Sequence, residues 1–144
     1  MNLIIQVKKE IADEKEKQKE ADEKIPILLD IPAAVRGVSI EPALEEIDLD
    51  GFLGTCQCSQ PTLNDGITPS HEHWCPPVGL DWVIYGCESG PKRRPCDWEW
   101  ARKVKDQCVE AGVPIFIKQL PRFGKVIKIP LLDGRVWNQL PEVK

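Results

Sequence analysis

The sequence predicts an α/β protein with about four parallel strands and crossover helices. Three observations predict it. Short, largely apolar runs at 2–7, 35–40, 80–86 and 113–117 are interleaved with stretches of helical periodicity. Such runs read as strands covered on both faces, which is the habit of parallel sheets. Three of the four stop in polar residues: Glu41, then Glu88-Ser89, then Lys118-Gln119. Crossover connections align parallel strands, so those ends gather on one edge, where α/β proteins place ligands.

The elements follow in order. Residues 2–7 (NLIIQV) read as the first strand. Residues 8–24 are almost entirely charged and read as a solvated helix with little buried face. It is supported by Glu20 with Lys24 at i,i+4 and opposed by like-charge pairs such as Lys15 with Lys19. Residues 21–29 read as a second helical piece capped by Asp22, with Pro26 in its first turn and Pro32 closing it. Residues 35–40 (VRGVSI) are the second strand, and 43–53 a connection carrying Leu44, Ile47 and Leu49. Residues 80–86 are the third strand. Asp97 caps a helix whose apolar stripe is Trp100, Val104, Cys108 and Ala111, and Gly112 ends it. Residues 113–117 (VPIFI) are the fourth strand. Residues 121–144 read as a tail or short hairpin, with a turn at Asp133-Gly134 and Trp137 packed back on the body.

Residues 1–144 are read as a single domain, with 54–79 a Cys/His-rich insertion loop. Apolar content of 42% against 29% charged excludes a disordered chain. A net charge of -4 does not favour general nucleic-acid binding. No apolar run is long enough to cross a bilayer, and the first residues carry no secretory cleavage signal. A cytoplasmic location with no membrane partner is expected, and the six cysteines are expected reduced or metal-bound.

The polar strand ends form the candidate site. Glu41 and Glu88 could share a proton if they face each other, because two close carboxylates do not both ionise cheaply. Lys118 can neutralise one of them or hold an anion. Gly86 and Gly90 allow a ligand close to the backbone, and Arg94 offers a fork for a carboxylate or phosphate. Ser89 and Gln119 complete the pocket candidates. Ser89 is a poor nucleophile here, since neither histidine is near it in sequence. The plainer alternative is that Glu41 and Lys118 form an ion pair that closes the sheet edge.

Within the insertion, Cys56, Cys58, His71, His73 and Cys75 fall within twenty residues of one another. Thiolates and imidazoles are zinc ligands, and a structural zinc clasp suits a long loop better than a catalytic zinc. The alternative is a reduced loop without metal. Cys108 lies on the helical stripe and reads as core, while Cys87 stands beside the candidate site.

Several stretches resemble a known family. These are ADEKIPILLDIPAAVRGVSIEPALEEIDL, DWVIYGCESGPKRRP, DQCVEAGVPIFIKQL and the terminal LLDGRVWNQLP. Together they resemble phage- and prophage-encoded radical-SAM-like proteins of unassigned activity, the three-cysteine-motif family, over about two thirds of the chain. The resemblance carries onto Glu41, onto Gly86, Glu88, Ser89, Gly90, Arg94 and Pro95, and onto Lys118-Gln119. It implies the carboxyl-terminal half of a TIM-like, radical-SAM-type barrel. The family's iron–sulfur cluster for S-adenosylmethionine chemistry is held by an N-terminal cysteine motif that this sequence lacks, so neither cofactor is expected for this chain alone. Cys87 stands where relatives have glycine, and Arg93 where they have a small residue.

Three functional expectations follow. The chain is an enzyme fragment that keeps a polar pocket edge for a small-molecule or nucleotide substrate but is inactive alone. Or it is an interaction subunit that completes its sheet on a protein supplying the missing half-barrel, or on itself. Or it is a zinc-clasped binding domain.

Overall fold

The computed structural model describes residues 2–7, 17–54 and 79–142, the first stretch in its backbone. Four strands run parallel and adjacent in chain order: β1 (Asn2–Val7), β2 (Val35–Ile40), β3 (Trp82–Gly86) and β4 (Ile115–Arg122). The fifth, β5 (Lys125–Lys128), returns antiparallel along the end of β4. The fold is thus a mixed α/β sheet, mostly parallel as the sequence predicts, and it closes no barrel among the described residues. Strand order follows chain order without reversal, so crossovers of one hand all fall on one face.

That face carries the core. Register sets Val38, Val83 and Ile115 in one row, and Ile40, Tyr85 and Ile117 in the next. All six are buried. Both helices pack into the same cluster: α1 (Lys17–Leu29) through Ala21, Ile25 and Leu28, and α2 (Trp98–Ala111) through Ala101, Val104 and Cys108. On the opposite face Trp82, Ile84 and Phe116 are only half-buried. Trp82 lies over Gly37, where an added Cβ would stand 3.3 Å from the Trp82 carbonyl oxygen. The same Cβ would lie 3.6 Å from Cε3 of the indole, in ordinary contact.

Three expectations are corrected. The two helical pieces expected over 8–24 and 21–29 are one helix as far as it is described, and Pro26 sits inside it rather than in its first turn. Proline removes the bond to the Asp22 carbonyl, but both residues are exposed, so water can satisfy that oxygen. The helix is fastened at both ends instead. The Gln18 amide donates to Glu45 Oε1 at 2.8 Å, and Arg36 Nη1 donates to the Leu29 carbonyl at 2.9 Å. Residues 8–16 lie outside the described residues.

The buried stripe of α2 is rotated from the expected one. Ala101 and Lys105 are buried with Val104 and Cys108, while Trp100 and Ala111 are half-exposed. Lys105 buries its stem and keeps its ammonium on Asp133 at 2.9 Å, with the Trp137 ring 5.6 Å away. Asp97 and Gly112 cap the helix as predicted, the glycine at φ 68.

The fourth strand does not stop at Ile117 but runs to Arg122, through Pro121. Past the bond from the Cys87 amide to the Gln119 carbonyl no residue of β3 is left to pair with, so the missing amide of Pro121 breaks no parallel ladder. The tail is ordered as expected. β6 (Leu131–Leu132) and β7 (Arg135–Val136) form a hairpin over Asp133-Gly134, and Trp137 is buried. The tail also seals the outer edge of β4. The Ile117 amide donates to the Trp137 carbonyl at 2.7 Å, and the Gln139 amide to the Ile115 carbonyl at 3.1 Å. With β5 covering the rest of β4, β1 is the parallel strand whose outer edge is left unpaired among the described residues, and the short β5 is the sheet's other edge.

Candidate functional site

The carboxyl ends of β2, β3 and β4 meet at one rim. Immediately after β2, Glu41 reaches across β3 to Lys118, with Lys118 Nζ 2.8 Å from Oε1 and 3.0 Å from Oε2. Beneath this pair lies Gly86. A Cβ there would stand 3.5 Å from both the Glu41 carboxyl and Gln119 Cγ, which is ordinary contact with no room beyond it. The Gly86 carbonyl accepts from the Ala43 amide at 2.8 Å, so the turn after β2 is tied down onto the end of β3.

A bulge positions Lys118. Tyr85 pairs with Ile117 and Gly86 with Gln119, leaving Lys118 as the extra residue on β4. Bulges re-aim side chains and recur beside functional sites. The next pair re-locks the strands: the Cys87 amide donates to the Gln119 carbonyl at 3.0 Å, and Gln119 Nε2 donates to the Cys87 carbonyl at 2.7 Å. Gln119 is buried and orders the rim rather than lining it.

The Glu41 and Glu88 carboxylates do not form a dyad. Glu88 is engaged with Arg94, which donates through Nε at 2.9 Å, Nη2 at 2.5 Å and its backbone amide at 2.8 Å. The Arg94 fork read from the sequence as a ligand clamp therefore grips this chain's own carboxylate and fixes the loop after β3. Ser89 and Gly90 are exposed on that loop, Gly90 at φ 105, which only glycine adopts readily. Arg93 extends the loop's anchorage, donating to the Gly90 carbonyl at 2.9 Å and to the Gly124 carbonyl in the β4–β5 turn. Neither that tie nor the bulge had a local sequence signal.

Cys87 is buried behind the rim. Burial pushes its thiol up, and Glu41 adds to this, while Arg93 pulls the other way. It is held protonated at neutral pH and is no nucleophile. Cys96 and Cys108 are likewise free and buried. Burial pushes each of them up to about 12. Among the described residues no His, Cys, Asp or Glu group gathers as a metal-ligand set. The zinc candidates Cys56, Cys58, His71, His73 and Cys75 lie outside the described residues. Among the described residues no helix is long and apolar enough to cross a membrane.

The Glu41–Lys118 pair is half-open to solvent, with side-chain exposures of 25% and 51%. An ion pair that exposed contributes about 1 kcal/mol or less. Replacing both, Glu41→Gln with Lys118→Met, is therefore expected to leave the urea midpoint nearly unchanged. A loss of several kcal/mol would mean that the pair is a clamp for the fold rather than a surface offered to a ligand.

Fold and rim together define an α/β protein with an open, sequentially ordered parallel sheet and a charged edge at its strand ends. Over residues 11–141 the chain matches the family described as "Protein of unknown function (DUF5131)", and it belongs to that family. Neither the curated proteins nor the solved structures gave a match.

Proposed function

We propose that this chain supplies the substrate-side part of a radical-SAM-like, TIM-type barrel enzyme: half of the sheet and a polar rim, not active alone. The observation that carries the reading is the strand order. Four parallel strands run in chain order with the helices on one face, and Glu41 and Lys118 meet over Gly86 at their carboxyl ends. Barrel enzymes bind substrate at that end. The half-buried opposite face, with Trp82, Ile84 and Phe116, is what a barrel interior awaiting its other strands presents.

The pair's chemistry suits a polar small molecule. A ligand with a cationic and an anionic group exchanges partners with it: Glu41 takes the cation and Lys118 the anion. The remaining strands join at β1, from further chain or from a partner, because the tail and β5 already cover β4. S-adenosylmethionine and the iron–sulfur cluster belong to that other half, since this sequence lacks the cysteine motif that holds the cluster in the family it resembles. Zinc in the 54–79 loop would clasp the insertion, and elemental analysis before and after chelation tests it.

Two measurements on the isolated protein test the reading together. Anaerobic reconstitution with iron and sulfide is expected to leave no iron–sulfur absorption. Amide exchange is expected to be faster in β1 than in β3. A stable cluster held by this chain alone, or a β1 as protected as the central strands, overturns it.

A further inference from the structure

The β4–β5 hairpin has features that neither the fold nor the rim requires. Its turn is Phe123-Gly124, with φ 48 and φ 72. Both values belong to the tight hairpin turn that favours Asn-Gly or Asp-Gly. A bulky residue at positive φ is strained. Phe123 is also 91% exposed, so no packing offsets that strain. A folding argument alone would put asparagine there, as the tail hairpin puts Asp133 in its own turn.

The charges are as unusual as the ring. Residues 118–128 (KQLPRFGKVIK) hold four cations and no carboxylate, in a chain of net charge -4. Arg122 and Lys125 are register partners, and like charges directly opposite destabilise a ladder. The nearby ion pairs lie elsewhere: Arg94 with Glu88, Arg102 and Lys105 with Asp133, Lys118 with Glu41. Arg122, Lys125 and Lys128 take part in none among the described residues. The Arg122 guanidinium lies 5.4 Å from the centre of the Phe123 ring, close enough to hold it from one side. Arg93 ties the loop after β3 to the Gly124 carbonyl, and this brings the exposed Lys92 to the same finger.

An exposed aromatic face among unneutralised cations is how proteins hold single strands, by stacking a base and tracking phosphates. We propose that the β4–β5 hairpin is a docking finger for single-stranded nucleic acid, with a base stacked on Phe123 and phosphates held by Arg122 and Lys125, which share one face of the hairpin, and by Lys92. The finger is local, so the acidic balance of the whole chain does not exclude it. One ring with a few cations is a weak membrane anchor, since stable anchoring takes two strong signals. The inference does not depend on the barrel reading.

Fluorescence anisotropy with a labelled oligothymidine single strand of about twenty nucleotides tests it, using the full chain at low salt. The strand is expected to bind more tightly than a duplex of equal length. With about three phosphates engaged, the logarithm of affinity is expected to fall with the logarithm of salt at a slope of about -2. Phe123→Trp is expected to keep binding. Phe123→Asn is expected to weaken it about tenfold or more, yet to raise the thermal midpoint by roughly 3–5 °C by relieving the turn. That rise separates lost stacking from lost folding. Unchanged affinity in Phe123→Asn, no binding at low salt, or capture by phosphatidylserine vesicles but not by oligothymidine each overturns the proposal.

Discussion

Raising the pH from about 9 to about 12 is expected to lower this protein's stability by several kcal/mol. Cys96 and Cys108 are buried thiols pushed up to about 12 by desolvation. In the unfolded chain they ionise near 8.5. Between those values the folded state binds more protons than the unfolded one, so stability falls as pH rises. Below the lower value the contribution is fully present. Each thiol contributes on the order of 2–4 kcal/mol across the window, against a total stability of about 5–15 kcal/mol for a domain. Tyr85 and Cys87, raised by the same burial, add in the same direction. Urea midpoints at about pH 8 and about pH 11 check this. Cys108→Ala is expected to flatten the slope, because one titrating group is gone. A midpoint indifferent to alkali would mean that the thiols reach water.

The second large effect concerns the floor of the rim. Gly86→Ala is expected to be tolerated, because its Cβ would make ordinary contacts at 3.5 Å with the Glu41 carboxyl and Gln119. Gly86→Leu is expected to cost about 3 kcal/mol, near the upper end of overpacking. The larger side chain must displace Glu41, Gln119 or both. Gln119 is buried and bonded to the Cys87 carbonyl, so it has nowhere to go without leaving polar groups unpaired. The Ala43 amide on the Gly86 carbonyl ties the same spot to the turn after β2. Chemical unfolding of the two variants reads the difference. If both unfold at the same midpoint, the close approach at Gly86 does not exist in solution.

Much of the framework was legible in the residues because local and long-range signals agreed. The runs at 2–7 and 35–40 became β1 and β2 with the expected bounds, and Asp97 and Gly112 bounded α2 as their chemistry requires. Three matters were not legible, each for a physical reason. Pro26 read as the first turn of a helix and Pro121 as the start of the tail, yet each sits inside its element where its missing amide is cheap: on an exposed helix face and beyond the end of β3. The Phe123-Gly124 turn carries no turn-forming residue at its first position, so β5 had no local herald. And pairings between distant residues have no sequence signature. The Glu41–Lys118 ion pair stood among the sequence's alternatives, but nothing local says that Arg94 binds Glu88.

That division of partners changes the chemistry on offer. A carboxylate dyad would have been an acid/base device. What the rim presents is a single carboxylate–ammonium pair over a glycine, with the neighbouring carboxylate fixed to its own arginine. Such a pair offers one acceptor and one donor of opposite charge to a polar group. This fits a part that contributes recognition while other residues supply the reaction.

Proton–proton contacts at Gly86 test the rim most directly. In an NMR spectrum of the isolated protein, nuclear Overhauser effects are expected from the Gly86 α protons to the γ protons of both Glu41 and Gln119, since both side chains close over that glycine. Effects to Gln119 alone, with Glu41 turned elsewhere, would contradict the account.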